Sequence, residues 1–155
     1  MINLVNGAKD IEQGLKEGAE LLLDGRDIDV GLKGYFIGPT VFDGVTPEMA
    51  IAQEEIFGPV VSIIQVEDLG EAIEIIQANP YGNASSIFTS SGHLAREFQY
   101  RVECGNIGIN IGIVAPMAFF PFGGRKDSFF GDLHGQGQDA IDSFTEKRVV
   151  ITRWW

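Results

Sequence analysis

Residues Val60 to Val66 read Val-Val-Ser-Ile-Ile-Gln-Val directly after Gly58-Pro59, and this run constrains the fold more than any other segment. A β-branched stretch of that length fits a strand buried on both faces, which needs elements packed above and below it. Asp68 then stands three residues before Glu71, an arrangement that supplies an acceptor to the orphan N–H groups of a helix, ahead of Ala72, Ile73 and Ile76. That helix is predicted to end near Asn79-Pro80. Ser85 to Thr89 reads as a short strand and Ser91 to Val102 as a helix with Leu94, Ala95, Phe98 and Val102 inward, stopped by Gly105. Asn106 to Asn110 is again strand-like. Strand, helix, strand, helix, strand with short links predicts an α/β layer built on a parallel sheet.

Upstream, Leu4, Ala8, Ile11, Leu15 and Ala19 recur at helical spacing, so residues 3 to 18 are predicted to be helical with Gly18 as the end. Leu21 to Leu23 is a strand candidate, followed by a polar loop from Asp24-Gly25 to Gly34. Tyr35 to Val45 looks extended, with Pro39 pointing to an edge or irregular strand. Past Gly123-Gly124 the chain is glycine-rich and polar, with a helical stretch near Asp139 to Asp142. Phe144 to Arg153 has strand composition and no hairpin partner beside it, so it is expected to join a sheet supplied elsewhere, for instance by another subunit.

A chain of 155 residues, 45% hydrophobic and 21% charged, has the make-up of a globular protein of about one domain. The net charge of −11 opposes non-specific binding to nucleic acid or to an anionic membrane. A single cysteine, Cys104, excludes an intrachain disulfide and offers no cysteine cluster for zinc, so a reducing compartment, the cytoplasm, is expected. The longest apolar stretch, Ile107 to Phe122, is too short and too interrupted by Asn110, Pro116, Pro121 and glycines to span a bilayer.

The segment Glu54-Glu55-Ile56-Phe57-Gly58-Pro59 admits two readings. It can be an ordinary loop in which glycine and proline set a turn and Phe57 fills the core. Alternatively, a carboxylate accepts hydrogen bonds from both hydroxyls of a ribose while an aromatic packs beside the sugar. The segment resembles a signature of the aldehyde dehydrogenase superfamily. It stands in order with Gly38-Pro39-Thr40 before it, and with Asn79-Pro80-Tyr81-Gly82-Asn83, Gly105-Asn106-Ile107-Gly108-Ile109-Asn110 and Pro121-Phe122-Gly123-Gly124 after it. Leu22-Leu-Asp-Gly-Arg26, Lys126-Asp-Ser-Phe-Phe-Gly-Asp-Leu-His-Gly-Gln-Gly137, Phe144-Thr-Glu-Lys-Arg148 and Trp154 are similar to the CoA-acylating methylmalonate-semialdehyde dehydrogenases. The likeness covers essentially the whole chain and departs at Ala84, where glycine is usual, and Ser143, where an aromatic is common.

The resemblance implies the C-terminal part of such an enzyme, a parallel-sheet layer followed by an oligomerisation strand. Residues 1–122 would close the catalytic domain, and 123–155 would form the glycine-rich loop and that strand. It implies NAD as cofactor, CoA as co-substrate and a small semialdehyde as substrate, in valine or inositol breakdown, with a mitochondrial matrix location for a eukaryotic parent. Glu55 would hold the nicotinamide ribose, Phe57 would pack beside it, and Pro116 to Phe122 would line the substrate tunnel. The NAD-binding domain, the catalytic cysteine and its oxyanion-stabilising asparagine would lie in a portion preceding Met1. This chain would then need that portion or a homo-oligomer and would be inactive alone. Two other readings stay open: a non-catalytic module that associates with a full-length dehydrogenase, and a plain aldehyde oxidiser releasing free acid.

Cys104 tempts as a nucleophile, but Val102-Glu103-Cys104-Gly105 closes a helix, where the dipole disfavours a thiolate. No catalytic residue is therefore assigned. His93 and His134 have no partner that the sequence identifies and read as surface or loop histidines. Gly105 to Gly108 and Gly135 to Gly137 lack dinucleotide-loop spacing and read as turns. The acidic run Glu67 to Glu74 reads as a solvated helix face rather than a metal site. A layer without its neighbours would expose Val60 to Val66 and Ile107 to Ile113, which predicts poor solubility or obligate association.

Overall fold

The computed structural model describes residues 2–26, 31, 33–131 and 135–155. The chain divides into two compact units, Met1–Glu67 and Asp68–Trp155. Each has its own apolar cluster.

In the first unit, α1 (Ile2–Glu17) packs on a three-stranded sheet of β1 (Glu20–Leu23), β2 (Thr40–Asp43) and β3 (Val60–Ser62), with a short α2 (Ala50–Gln53) between β2 and β3. The predicted helix and its end at Gly18 are present, and Ile11 and Ala19 of the expected apolar set lie in the core. Gly7, Ile11 and Gly14 are buried, while Leu15 stays 39% exposed. Counting only large apolar residues misses glycines that let a helix approach closely. Ile11, Ala19, Phe42, Val45 and Ile51 form the core, with Ile56, Val60 and Ile64 against it.

The β1–β2 pair is antiparallel and β2–β3 parallel. Pro39 does not mark an edge strand: it precedes β2, the central strand, and the pairing begins at Thr40. A backbone contact locks the entry. Gly38 N–H donates to the Gly25 carbonyl at 2.7 Å, and Gly25 N–H donates to the hydroxyl of fully buried Thr40 at 3.1 Å. A methyl group at Gly25 would stand 2.0 Å from the Gly38 carbonyl oxygen, so only glycine fits.

The expected strand over Val60–Val66, buried on both faces, is corrected in length and burial. Strand β3 stops at Ser62 and lies at the sheet edge, and Val61, Ile63 and Val66 are exposed. Pairing continues irregularly, since Ile63 N–H donates to Phe42 O and Val45 N–H to Ile63 O. The expected exposure is present on one side of this run, while Val60 and Ile64 pack against the core.

The second unit opens with α3 (Leu69–Ala78), whose N-cap Asp68 accepts from Glu71 N–H at 3.0 Å. Next come β4 (Tyr81–Gly82), β5 (Ala84–Ile87), α4 (Gly92–Arg101), β6 (Asn106–Ile109), β7 (Arg125–Lys126) and α5 (Gly137–Ser143). Strands β5 and β6 are parallel, and β4 pairs antiparallel with β7. The architecture is thus mixed α/β, with two parallel pairs in separate small sheets rather than one continuous parallel layer.

Ile73, Phe98, Val102 and Cys104 form the second core, flanked by Leu69, Ile76, Ile87 and Ile107. Leu94, expected inward, is exposed because the buried face of α4 runs through Ala95 and Phe98. Gly105 does not stop α4, which ends on Val102 in an extended conformation. Its bareness serves a crossing instead, since a Cβ there would lie 2.5 Å from Gly123 O.

Residues 145–155 carry no strand, and Val149, Val150, Ile151 and both tryptophans are exposed. A segment of strand composition has nothing among the described residues to pair with.

Two substitutions test these local rules by denaturant unfolding. Asp68→Ala should cost about 1 kcal/mol through loss of the cap. Gly25→Ala should cost more, about 3 kcal/mol or above, because a backbone must move. Equal and negligible effects would contradict the packing described.

Candidate functional site

The loop from α2 to β3 carries the glutamate and the phenylalanine singled out above. Helix α2 ends at Glu54, whose extended conformation (φ −99°, ψ 143°) turns the chain away while its N–H still bonds Ala50 O. Gly58 N–H then donates to Ile56 O at 2.8 Å and Val60 N–H to Gly58 O at 2.9 Å, two tight turns that lead into β3. Ile56 packs on the first core, whereas Glu55 is exposed and Phe57 is 78% exposed. The loop reading in which Phe57 fills the core is therefore wrong for this chain: Ile56 does so. Burying the middle residue leaves a carboxylate and an aromatic ring on either side of it, both free to meet a ligand.

A recess of about 230 Å³ lies by this loop, lined by Asp10, Gln13, Ala50, Ile51, Glu54 and Ile56. Neither Glu55 nor Phe57 lines it, so a ligand held by that pair would lie outside the recess. The exposed Glu55 carboxylate can accept two hydroxyl hydrogen bonds, and the bare Phe57 ring offers an apolar face, an arrangement suited to a vicinal diol beside a flat ring.

Cys104 is 5% exposed in the second core. Burial pushes its thiol up from the ordinary value, against a smaller opposing pull from the charges of Lys126 and Arg125. A thiol rather than a thiolate results, which suits a core residue and not a nucleophile. His93 is well exposed with Nε2 3.9 Å from Glu97. His134 lies outside the described residues. Among the described residues no group of three or more His, Cys, Asp or Glu is placed to hold a metal ion, and no helix is long and apolar enough to cross a membrane.

Sequence reasoning missed two devices. Asp24 accepts from the backbone N–H and the guanidinium of Arg26, and this bonding lowers its carboxyl to about 2 from the ordinary 3.8. Asn110, in a left-handed conformation (φ 56°), exchanges amide hydrogen bonds with Thr89 N–H and Thr89 O. The Asp-Gly-Arg turn was visible as a motif. Nothing in the sequence pointed to the Asn110–Thr89 pair.

The family model described as the aldehyde dehydrogenase family matches residues 4–150. The chain belongs to the aldehyde dehydrogenase family. Among aldehyde dehydrogenases it is 49% identical over 144 residues to malonate-semialdehyde dehydrogenase of Halalkalibacterium halodurans, covering 93% of this chain and 30% of that protein. Against the Bacillus subtilis malonate-semialdehyde dehydrogenase the identity is 51%, over 93% of this chain and 29% of that protein.

The crystal structure of a methylmalonate-semialdehyde dehydrogenase from Oceanimonas doudoroffii superposes with a TM-score of 0.94 at 40% identity, over 98% of this chain and 32% of the other. A Sinorhizobium meliloti structure named for the same enzyme and complexed with NAD gives 0.93 at 40% identity, over 98% and 31%. This aldehyde dehydrogenase chain thus spans about 30% of the length of the curated relatives it matches.

Two measurements follow. The Asp24 carboxyl should titrate near pH 2 by NMR, and Arg26→Ala should return it toward 3.8. Because the folded value is the lower one, the pair stabilises above pH 3.8 and loses its effect as pH falls toward 2. Iodoacetamide should alkylate native Cys104 at least about a hundredfold more slowly than the urea-unfolded chain, and fast native labelling at neutral pH would contradict a buried thiol.

Proposed function

We propose that this chain is the C-terminal part of an NAD-dependent, CoA-acylating dehydrogenase acting on malonate or methylmalonate semialdehyde. Residues 1–122 close the catalytic domain, and 123–155 form the glycine-rich loop and an oligomerisation strand. The observation that carries this is the outward pair Glu55 and Phe57, set on either side of core-packed Ile56 in a chain so similar to the semialdehyde dehydrogenases.

Glu55 binds the hydroxyls of the nicotinamide ribose and Phe57 packs against its apolar side, fixing the ring's position. NAD, when bound there, would supply the hydride acceptor for oxidising the thiohemiacetal that a thiol forms with the aldehyde. Pro116 to Phe122, with exposed Met117, Phe119 and Phe120, forms part of the wall that faces the substrate. The thiolate for the thioester route comes from a portion outside this chain, and CoA takes the acyl group. A cytoplasmic setting and a role in valine or inositol breakdown belong to the same proposal, as does assembly with the missing portion or with further subunits.

NADH formation from methylmalonate semialdehyde and CoA, by this chain alone and mixed with a polypeptide carrying the other two-thirds of the enzyme, tests it. Activity only in the mixture, with an acyl-CoA product, is expected. Free acid as product would favour a plain aldehyde oxidiser. Association without activity would favour a non-catalytic module. In the active mixture Glu55→Gln should raise the KM for NAD about tenfold, the effect of weakening hydrogen bonds to a charged acceptor.

A further inference from the structure

Lys126 makes a contact that neither the sequence motifs nor the proposed chemistry uses. Its Nζ donates to three backbone carbonyls at the end of α3: Ile76 O at 3.1 Å, Gln77 O at 2.8 Å and Asn79 O at 2.9 Å. An ammonium has three N–H donors, so each meets one oxygen and none is left over. The last carbonyls of a helix lack intrahelical partners and carry its negative partial charge. Three convergent carbonyl oxygens at such distances are a ligand set for a compact monovalent cation.

Lys126 pays for reaching them: its backbone sits at φ 54°, a left-handed conformation rare for a lysine. The segment it anchors is also held by Asn106 Nδ2 donating to Gly123 O at 2.8 Å and Gly135 N–H donating to Phe122 O at 3.0 Å, but residues 125–128 rest on a short strand pair and a few further bonds. Strands β4 and β7 pair through only two residues each, Tyr81 with Lys126 and Gly82 with Arg125. Asp127 N–H to Pro80 O and Gly82 N–H to Ser128 Oγ complete the knot. From this knot the chain runs back through Gly123-Gly124 into the exposed apolar loop that contains Phe119 and Phe120.

We propose that the C-terminal end of α3 is a monovalent-cation site which the chain fills with its own Lys126 ammonium, and that this internal cation fixes the course of residues 125–128. Lys126 is a positioning residue in this scheme: it touches no reacting group, but the placement of the β7 turn that follows the apolar loop depends on its charge. The inference does not depend on the dehydrogenase reading, because it is tested without activity.

The experiment compares Lys126→Ala, which opens the cradle, with Lys126→Met, which fills it with a neutral stem. Amide hydrogen exchange at Gly82, Asp127 and Ser128 is followed in the purified chain in ammonium, potassium, propylammonium and tetramethylammonium chlorides at equal ionic strength. Both variants should exchange about tenfold faster than wild type in tetramethylammonium, as expected when charged hydrogen bonds holding a local structure are lost. Ammonium, potassium and propylammonium should restore protection in Lys126→Ala and leave Lys126→Met unchanged, while wild type responds to none. Unchanged exchange in Lys126→Ala, or restoration that is the same in tetramethylammonium, overturns the proposal. If Lys126→Ala does not fold, its soluble yield on refolding in the four salts is read instead: higher yield in ammonium and potassium supports the site, and equal yields overturn it.

Discussion

The first unit hangs on one backbone crossing. Gly25 and Gly38 touch main chain to main chain, and the buried Thr40 hydroxyl takes the Gly25 N–H that would otherwise be stranded. That crossing sets where β2 begins, hence its register with β1 on one side and with β3 on the other. Since β3 begins at Val60, the position of the Glu55–Phe57 loop follows from a contact more than a dozen residues away in sequence. A buried N–H without an acceptor costs about 1–3 kcal/mol, enough to favour other registers, which is why the small residues and the hydroxyl occur together.

Much of the fold could be read from the sequence wherever short-range physics decides it. The Asp68 cap, the buried Ile73 and Phe98 faces and the β5–β6 parallel pair appear where periodicity and capping place them. The failures have two causes. Leu15 and Leu94 are exposed because each lies outside the face its helix buries, and periodicity alone does not fix the phase of that face, whereas Val61 is exposed because β3 is an edge strand with one face uncovered. The β4–β7 pair joins residues more than forty positions apart through two-residue strands, too short to leave a pattern. At the candidate site the motif identified Glu55 and Phe57, but only the structure distinguishes Phe57 from Ile56 as the outward residue. The resemblance supplied a role that local chemistry could only allow.

Two small cores holding only a few buried residues each are set against a long roster of bare aromatic and β-branched side chains. Apolar burial is the main favourable term in folding, so the modest cores limit how much stability each unit can generate alone. The exposed faces of Val61, Ile63, Ile111 and Ile113 are where further stabilisation would come from on association. The α/β pattern is spread over three small sheets, of two or three strands each, whose edges offer unpaired backbone.

Both tryptophans of the chain, Trp154 and Trp155, stand at its very end and are bare to solvent, remote in sequence from either core. Tryptophan emission from this protein therefore carries almost no signal from the folding of the two units. It is instead a natural dye on the tail: red-emitting while the tail is wet, and shifted blue when some surface covers the indoles.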